Sequence, residues 1–413
     1  MENWMIGILV MMVAMVTSMT VFPFALNFAK EHGIVDNPNA RKLQRVPVPV
    51  FGGVVVYSGI LVGWLVLAAF MWNWVMVNGL LGMTIMLGIG VWDDHSNISA
   101  RLRFAIEIGL VSAFIGLTGV YIDDLHGLWG IDELDDWVAI PFSVISGVGI
   151  INAVNLIDGV DGYSSGYGMM ACTFFGLCYW TVWSPTMTCL TLIVIGALLP
   201  FFMHNVFGQK SRMFIGDGGT LMLGMFMTVC TFFALSSTQS CDKLDQQGLS
   251  LTAFVAAVLC VPLFDTLRVM TMRILRGKSP FKPDKTHLHH LFIDMGFSHL
   301  GAALFILTEN LGVVLACVAS WKLGASVDVQ MYIVMALGML ITFVFYKFMK
   351  WQQNHGPLDD EGYPQGTWLW HRMCELGRYS HREKKRTWKM LRRIMDGPMM
   401  GNRGLRRETN LNN

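Results

Sequence analysis

Long runs of apolar residues recur along the chain and are separated by short polar segments. A helix needs about 20 apolar residues to cross a bilayer, and its backbone must satisfy its hydrogen bonds internally. The pattern therefore predicts an all-α polytopic membrane protein with about eleven transmembrane helices. Their approximate bounds are 4–26, 53–72, 75–92, 104–121, 138–154, 165–183, 186–204, 217–236, 250–272, 300–320 and 328–348.

Charged residues in the loops predict the orientation of these helices. One set of alternate loops holds most of the basic residues, whereas the opposite set holds only Lys243 and Lys322. Because cytoplasmic loops are enriched in lysine and arginine, we expect the N-terminus outside and the C-terminus in the cytoplasm. The first apolar run has no basic leader, so we expect a retained helix and not a cleaved signal peptide. On the outside, Tyr121 to Trp137 is expected to form either a small hairpin or an acidic loop.

The chain divides by composition into two parts. Residues 1–349 form the predicted transmembrane domain. Residues 350–413 form a basic cytoplasmic tail, with 13 Lys and Arg against 7 Asp and Glu. Within this tail, Arg382 to Met395 has the pattern of a basic amphipathic helix, which suits either the anionic inner leaflet or a solvated surface.

Composition excludes several classes of protein. Hydrophobic residues make up 54% of the chain and charged residues 14%, whereas about 25% is typical of soluble domains. The formal net charge of +1 provides no basic field for nucleic acid. Most of the eight cysteines lie inside apolar runs and no C-x-x-C pair occurs, so we expect neither a disulfide framework nor a zinc site.

Four polar motifs fall in loops that the charge pattern assigns to the cytoplasm. They are Asp93-Asp94, Asn155 to Gly162, Phe214 to Gly219 and His287 to His290. Each alone has an ordinary explanation: an ion pair with arginine, an Asx turn, a helix cap or a solvated basic loop. Acids and histidines that are distant in sequence but share one membrane face indicate an active site at the cytosolic interface.

The combination of these side chains points to phosphoryl transfer. Several carboxylates beside several cations suit a pyrophosphate bound with a divalent cation, and oxygen ligands favour Mg²⁺ or Mn²⁺. The bilayer interface is where a lipid phosphate lies, so the expected reactants are a soluble nucleotide and a lipid phosphate. Metal and basic groups would lower the barrier by neutralising the two anions and aligning them.

A longer series of motifs carries a family resemblance. In order, they are Asp36 to Lys42, Pro47 to Gly53, Asp93-Asp94, Asn152 to Gly159, Phe214 to Asp217, Asp265 to Arg268 and Ser279 to His290. Together they make the chain similar to the bacterial polyprenyl-phosphate N-acetylhexosamine-1-phosphate transferases. The run His287-Leu288-His289-His290 resembles the branch that uses UDP-N-acetylglucosamine, whereas the branch that uses UDP-N-acetylmuramoyl-pentapeptide usually has three consecutive histidines.

The resemblance implies a reaction and its setting. N-acetylglucosamine-1-phosphate would pass from UDP-N-acetylglucosamine to undecaprenyl phosphate with release of UMP, as the first membrane step of a cell-envelope glycan. The enzyme would use Mg²⁺ or Mn²⁺, face the cytoplasm from the bacterial inner membrane and often dimerise. Other UDP-N-acetylhexosamines stay open as donors. A secondary transporter is the alternative class, although transporter sites lie near the membrane midplane.

The resemblance also implies roles for individual residues. Asp217 and Asn155 would hold the metal ion against the pyrophosphate. Asp93 or Asp94 would activate or position the lipid phosphate, and Asp158 would support the metal and nucleotide. Asp161 and Phe214 would contact uracil, and Arg45 would contact the lipid phosphate. The pyrophosphate or sugar would be contacted by His287, His289, His290 and Lys285.

Overall fold

The computed structural model describes residues 3–36, 46–96, 98–208, 210–237, 244, 247–280, 285–355 and 372–377. The helices, numbered along the chain, are α1 (Asn3–Glu31), α2 (Gly52–Ala68), α3 (Trp74–Ser96), α4 (Ala100–Thr118), α5 (Asp136–Leu156), α6 (Tyr163–Thr181), α7 (Pro185–Phe207), α8 (Gly216–Ala234), α9 (Leu251–Val258), α10 (Cys260–Leu275), α11 (Leu288–Asp294), α12 (His299–Lys322), α13 (Val327–Met339) and α14 (Tyr346–His355). A π-helical segment, Leu340–Phe345, joins α13 to α14. The strands are β1 (Val35–Asp36), β2 (Val48–Pro49), β3 (Asp124–Leu128) and β4 (Ile131–Glu133), which form two antiparallel pairs.

The predicted all-α polytopic membrane architecture is confirmed. Every apolar segment predicted from the sequence is helical: segment 250–272 is the bent pair α9–α10, segment 328–348 covers α13, the π-helical segment and the start of α14, and each of the others coincides with one helix. Among the described residues, 7 helices are long and apolar enough to span a membrane, or 8 if the bent pair is one span. Three predicted spans fall outside this set: α2 is apolar but has only 17 residues, α4 carries three charged residues near its start, and α6 is not apolar enough. The number of eleven spans and their orientation therefore stay predictions.

Helix α8 lies at the centre of the bundle and is buried along nearly its whole length. It packs against α2, α3 and α5, so its apolar residues are needed on every face. One of its hydroxyl groups bonds across the bundle, since Thr228 donates to the Gly147 carbonyl of α5 at 3.1 Å. The central position of α8 fixes where its first residue, Gly216, emerges beside α2 and α3.

The bent pair α9–α10 turns by 72° at its break. A break inside a membrane helix needs partners for the freed backbone groups. Asn310 of α12 supplies them, because its amide donates to the carbonyl oxygens of Ala257 and Val258, and its oxygen accepts from the Val261 amide at 2.9 Å. The bend therefore has a fixed direction, and it sets the course of α10.

The hairpin predicted between Tyr121 and Trp137 is confirmed as the β3–β4 pair. Gly127 and Gly130 both adopt left-handed φ values of 75° and 72°, which glycine accommodates without strain. The tip is attached to the start of α13, since the Trp129 amide donates to Asp328 at 2.7 Å.

Two expectations about the rest of the chain have different outcomes. The six cysteines in the apolar runs are buried free thiols, as predicted. The amphipathic helix predicted over Arg382–Met395 lies outside the described residues. A helical segment of the tail at 372–377 is described, and Met373 and Cys374 within it are buried.

Candidate active site

The first residues of α8 are held by the backbone of the loop that precedes α2. The Phe214 amide donates to the Pro49 carbonyl at 2.8 Å, and the Gly52 amide donates back to the Phe214 carbonyl at 2.9 Å. A side chain on Gly53 would lie 2.5 Å from the Gly219 nitrogen. The motif Pro47 to Gly53 therefore allows close backbone contact that positions the start of α8.

Helix α3 approaches the same point from another side. A Cβ atom on Gly90 would lie 2.3 Å from both the nitrogen and the Cα of Gly218, so the two backbones touch. Asp94 lies one turn after Gly90 on this helix and meets the N-terminus of α8. Its Oδ1 accepts a hydrogen bond from the Asp217 amide at 3.2 Å. The contact between α3 and α8 therefore brings two predicted site residues together.

Asn155, at the end of α5, completes this group. Its side-chain nitrogen donates to Asp217 Oδ1 at 3.0 Å and to Thr220 Oγ1 at 2.9 Å. The side chain is buried and fixes the orientation of the Asp217 carboxylate. Asp94, Asn155 and Asp217 thus form one hydrogen-bonded cluster at the ends of three helices.

Asp158 lies in the loop between α5 and α6. Ser164 donates a hydrogen bond to its Oδ1 at 2.9 Å. Although the side chain reaches solvent, desolvation by the surrounding protein raises its pKa to about 7, and the negative charges of Asp217 and Asp161 add to this rise. A carboxyl whose pKa is raised by neighbouring carboxylates is stabilised in its charged form by a cation.

Asp161, in the same loop, is already paired. Arg212 contacts its carboxylate at 2.6 Å and His299 contacts it at 3.1 Å. Burial alone would raise the pKa of Asp161, but His299 and Arg212 together lower it below its ordinary value. The Arg212 guanidinium also lies 5.3 Å from the centre of the Phe214 ring. Asp161 and Phe214, the two predicted uracil contacts, therefore both contact Arg212.

The histidines meet this loop from the side of α11. A Cβ atom on Gly159 would lie 2.0 Å from His289 Nε2, so the imidazole rests directly against the loop. The ring centres of His289 and His290 are 4.3 Å apart. Burial, followed by the neighbouring histidines, lowers the pKa of His289 well below its ordinary value and that of His290 to about 4. These two rings are therefore neutral near pH 7 and offer hydrogen bonds but no charge.

Two predicted residues, Asp93 and Lys285, do not join the central cluster. Asp93 forms an ion pair with an arginine, which is the ordinary explanation that the sequence offered. It accepts hydrogen bonds from Arg103 at 3.0 Å and from the Ile98 amide at 2.9 Å. Lys285 is exposed. Arg45 lies outside the described residues. Of the adjacent pair Asp93 and Asp94, only Asp94 contacts Asp217 through a hydrogen bond that the structure describes.

Sequence reasoning missed one buried polar group altogether and missed the contact within a second, whose residues it had named only as separate motifs. Glu107 of α4 is buried between Arg103, at 3.5 Å, and Asn152 of α5, which donates a hydrogen bond to it. The second group centres on Asp265, which is 2.9 Å from His287 Nδ1. The position of Glu107 within an apolar helix was a signal that could have identified the first group. The sequence separation of Asp265 and His287 does not predict their contact.

Within the described part of the chain, no three His, Cys, Asp or Glu side chains form a cluster that could hold a metal ion by themselves. The cluster does offer hard oxygen donors, in Asp94, Asp158 and Asp217, whose charges are near enough to repel one another. Mg²⁺ is commonly bound by one or two carboxylates together with water and substrate phosphate. The donor set fits that manner of binding.

Comparison with known proteins gives a consistent assignment. Residues 75–235, which run from the start of α3 to the end of α8, match the model of glycosyl transferase family 4. A probable undecaprenyl-phosphate N-acetylglucosaminyl 1-phosphate transferase of Bacillus subtilis is 29% identical over 298 residues, which cover 71% of this chain and 79% of the relative.

Two further relatives cover similar proportions. An undecaprenyl-phosphate alpha-N-acetylglucosaminyl 1-phosphate transferase of Escherichia coli O157:H7 is 27% identical over 336 residues, covering 79% of this chain and 86% of its own. A decaprenyl-phosphate N-acetylglucosaminephosphotransferase of Mycobacterium tuberculosis H37Rv is 29% identical over 310 residues. These residues cover 67% of this chain and 73% of the relative. The region that matches the model of glycosyl transferase family 4 contains the acidic cluster of α3, α5 and α8.

Proposed function

We propose that this protein transfers N-acetylglucosamine-1-phosphate from UDP-N-acetylglucosamine to undecaprenyl phosphate and releases UMP. One observation carries the proposal: residues from α3, α5 and α8 converge on Asp217, and the histidines of α11 lie against the adjoining loop. The names of the relatives support the identity of the donor and the acceptor. The interruption of the histidine run by Leu288 supports the same donor.

The proposed reaction breaks one phosphoanhydride bond and forms another. An oxygen of the lipid phosphate attacks the phosphorus that bears the sugar, and the bond from that phosphorus to UMP breaks. Because the bonds broken and formed are alike, the main barrier is the approach of two anions. The protein must therefore neutralise charge and align the reactants in a line.

Asp217 would hold a magnesium ion, and Asn155 orients its carboxylate by a hydrogen bond that the structure describes. The ion would neutralise the pyrophosphate when bound, which is the chemistry that the residues themselves do not supply. Asp94 would position the lipid phosphate against the same group, and its hydrogen bond from the Asp217 amide supports this role. Manganese fits the same oxygen donors. Loss of turnover with a chelator, restored by magnesium, would support this assignment.

The remaining roles are those that the resemblance implies. Asp161 and Phe214 would bind the uracil ring, with Arg212 holding both in place. The histidines and Lys285 would contact the pyrophosphate or sugar, and Arg45 the lipid phosphate. We further propose that the chain crosses the inner membrane eleven times with this site on the cytoplasmic face. The implied homodimer remains a prediction.

The enzyme and the transporter differ in one measurement. Purified protein should release UMP from UDP-N-acetylglucosamine only when undecaprenyl phosphate is added. The reason is that the lipid phosphate is the attacking group, so no bond to UMP breaks without it. Uptake of a solute into vesicles without any lipid-dependent release of UMP would support the transporter instead.

The adjacent aspartates should respond differently to the same substitution. We expect Asp94→Asn to lower the rate of UMP release by roughly 10² to 10³, because it removes a charge beside Asp217. Asp93→Asn should lower the rate by less than about tenfold and reduce thermal stability, since Asp93 pairs with Arg103. Rates and melting temperatures of the two purified variants give the comparison. An equal loss of rate in both would contradict the separate roles.

A further inference from the structure

Helix α14 extends the last predicted transmembrane segment and lies against α11, the short helix that carries His289 and His290. One face of α14 is buried at Met349 and Gln352, whereas Trp351 between them is exposed. A helix surrounded by solvent has no buried face, so α14 packs on protein along this side. This part of the chain therefore lies beside the proposed site.

The contacts of α14 reach both ends of α11. At the far end, Lys350 Nζ is 2.8 Å from Oδ2 of Asp294, the last residue of α11. At the near end, the Tyr346 ring centre lies 3.6 Å from the guanidinium carbon of Arg268. Arg268 in turn donates to the carbonyl of Thr286, directly before the histidine run. The first turn of α14 therefore supports the start of α11, and its second turn holds the end.

The middle of α11 is buried over the segment that precedes α14. Phe292 of α11 is fully buried, and its ring centre lies 6.2 Å from that of Phe345, at the end of the π-helical segment. The ring of Phe305, on α12, lies 4.8 Å from the same side chain. Because α11 has only 7 residues, it is too short to be stable as an isolated helix. Its position must depend on these tertiary contacts.

The tail segment 372–377 covers the turn that ends α11. A Cβ atom on Gly377 would lie 2.8 Å from the Met295 carbonyl oxygen and 3.0 Å from the Gly296 carbonyl carbon, so the two backbones touch. Met373 and Cys374 of the same segment are buried. The tail segment thus packs on the turn that joins α11 to α12.

We propose that α14 and the tail segment 372–377 form a positioning element that holds α11 at the site and raises the affinity for UDP-N-acetylglucosamine. When the tail segment leaves its place, α11 gains freedom, and part of the binding free energy of the donor must be spent on ordering it. Coupling between two sites is reciprocal, so bound donor must also favour the docked tail. The inference rests on the proposed function and deepens it, because it gives the tail a role in donor binding.

The first test displaces the tail segment in the full-length protein. Gly377→Val adds atoms where the backbone of Met295 and Gly296 already touches, so the segment should leave this surface. We expect the KM for UDP-N-acetylglucosamine to rise by about tenfold, with kcat and the KM for undecaprenyl phosphate nearly unchanged. Leu376→Val is the matched control, because the neighbouring Leu376 is exposed, and it should behave as the wild type.

A second variant tests the attachment of α14 independently of the tail segment. Lys350→Met keeps most of the side-chain stem but removes the charge that pairs with Asp294. Because this ion pair is partly exposed, the KM for the donor should rise by only about threefold. Lys350→Arg keeps a cation within reach of Asp294 and should retain the wild-type KM.

Cys374 provides a measurement that does not depend on turnover. Its thiol is buried and not in a disulfide, so it should react slowly with a water-soluble maleimide, and mass spectrometry of the peptide that contains it gives the rate. We expect Gly377→Val to raise this rate by about tenfold, because the docked state protects the thiol. In the wild type, UDP-N-acetylglucosamine with Mg²⁺ should slow the reaction, which a tail with a purely structural role would not show.

Several results would overturn the proposal. They are an unchanged donor KM in a Gly377→Val protein whose Cys374 has become reactive, a Cys374 that stays protected in that variant, and an equal rise in the KM of donor and lipid phosphate. A wild-type labelling rate that ignores the donor, in protein that turns over, would contradict the role of the tail alone. Protection of Cys374 by the donor, in protein that forms no lipid product, would contradict the proposed reaction alone.

Discussion

We expect Asp217→Asn to lower the release of UMP by roughly 10³-fold or more. Asp217 is the residue on which α3, α5 and α8 converge, and its charge is the one that would hold the metal ion. The substitution keeps a side-chain oxygen that can accept the hydrogen bond from Asn155. The fold should therefore survive while the charge is lost. Turnover and thermal unfolding of the purified variant are the measurements.

A matched substitution elsewhere provides the control. Asp328→Asn makes the same chemical change where an aspartate accepts from the Trp129 amide in the hairpin. It should retain the rate of the wild type. Turnover of the Asp217→Asn variant at the wild-type rate would contradict the proposed role of Asp217 in holding a metal ion. Loss of its folded state would require the rate comparison to be made with Asp217→Glu, which keeps the charge but moves it by one methylene.

Gly90→Ala is expected to reduce both stability and activity. The new Cβ would lie 2.3 Å from backbone atoms of Gly218 and 2.5 Å from the carbonyl carbon of Asp217, and backbone cannot move aside as a flexible side chain can. Forcing α3 away from α8 should cost about 1–3 kcal/mol of stability. It should also separate Asp94 from Asp217, and a displacement of about 1 Å can lower a rate by roughly 10².

Gly88 on the same helix is the control for this prediction. A Cβ at Gly88 has no atom within 4 Å, so Gly88→Ala introduces no clash. Its only expected effect is on stability, because alanine has a higher helix propensity than glycine. We expect it to be as stable as the wild type or more stable, with unchanged activity. Similar behaviour of the Gly88 and Gly90 variants would show that the contact between α3 and α8 does not position the site.

Much of the fold could be predicted from the apolar pattern alone. Helices that face lipid must be apolar over a fixed length, so each predicted segment is helical in the structure. The number of spans was harder to predict, because α2 is short and α4 begins with Arg101 and Arg103. The break between α9 and α10 was also hidden, since the partner that satisfies it, Asn310, lies far along the chain.

The site was predictable at the level of motifs. The pattern of basic loops placed four polar motifs on one face, and the structure brings residues from all four together through Asp94, Asn155, Asp217 and His289. Individual roles within a motif depend on the direction of each side chain. Adjacent residues on a helix point about 100° apart, which is why Asp93 meets Arg103 while Asp94 meets α8.

The most direct test of the proposed function is the identity of the lipid product. Purified protein is incubated with magnesium, undecaprenyl phosphate and, separately, each of several UDP-N-acetylhexosamines and UDP-N-acetylmuramoyl-pentapeptide, and the lipid fraction is analysed by mass spectrometry. We predict undecaprenyl-pyrophosphoryl-N-acetylglucosamine, formed in equal amount to UMP, with UDP-N-acetylglucosamine as the donor. No lipid-linked sugar from any donor, with folded protein and an active control enzyme, would contradict the proposed function.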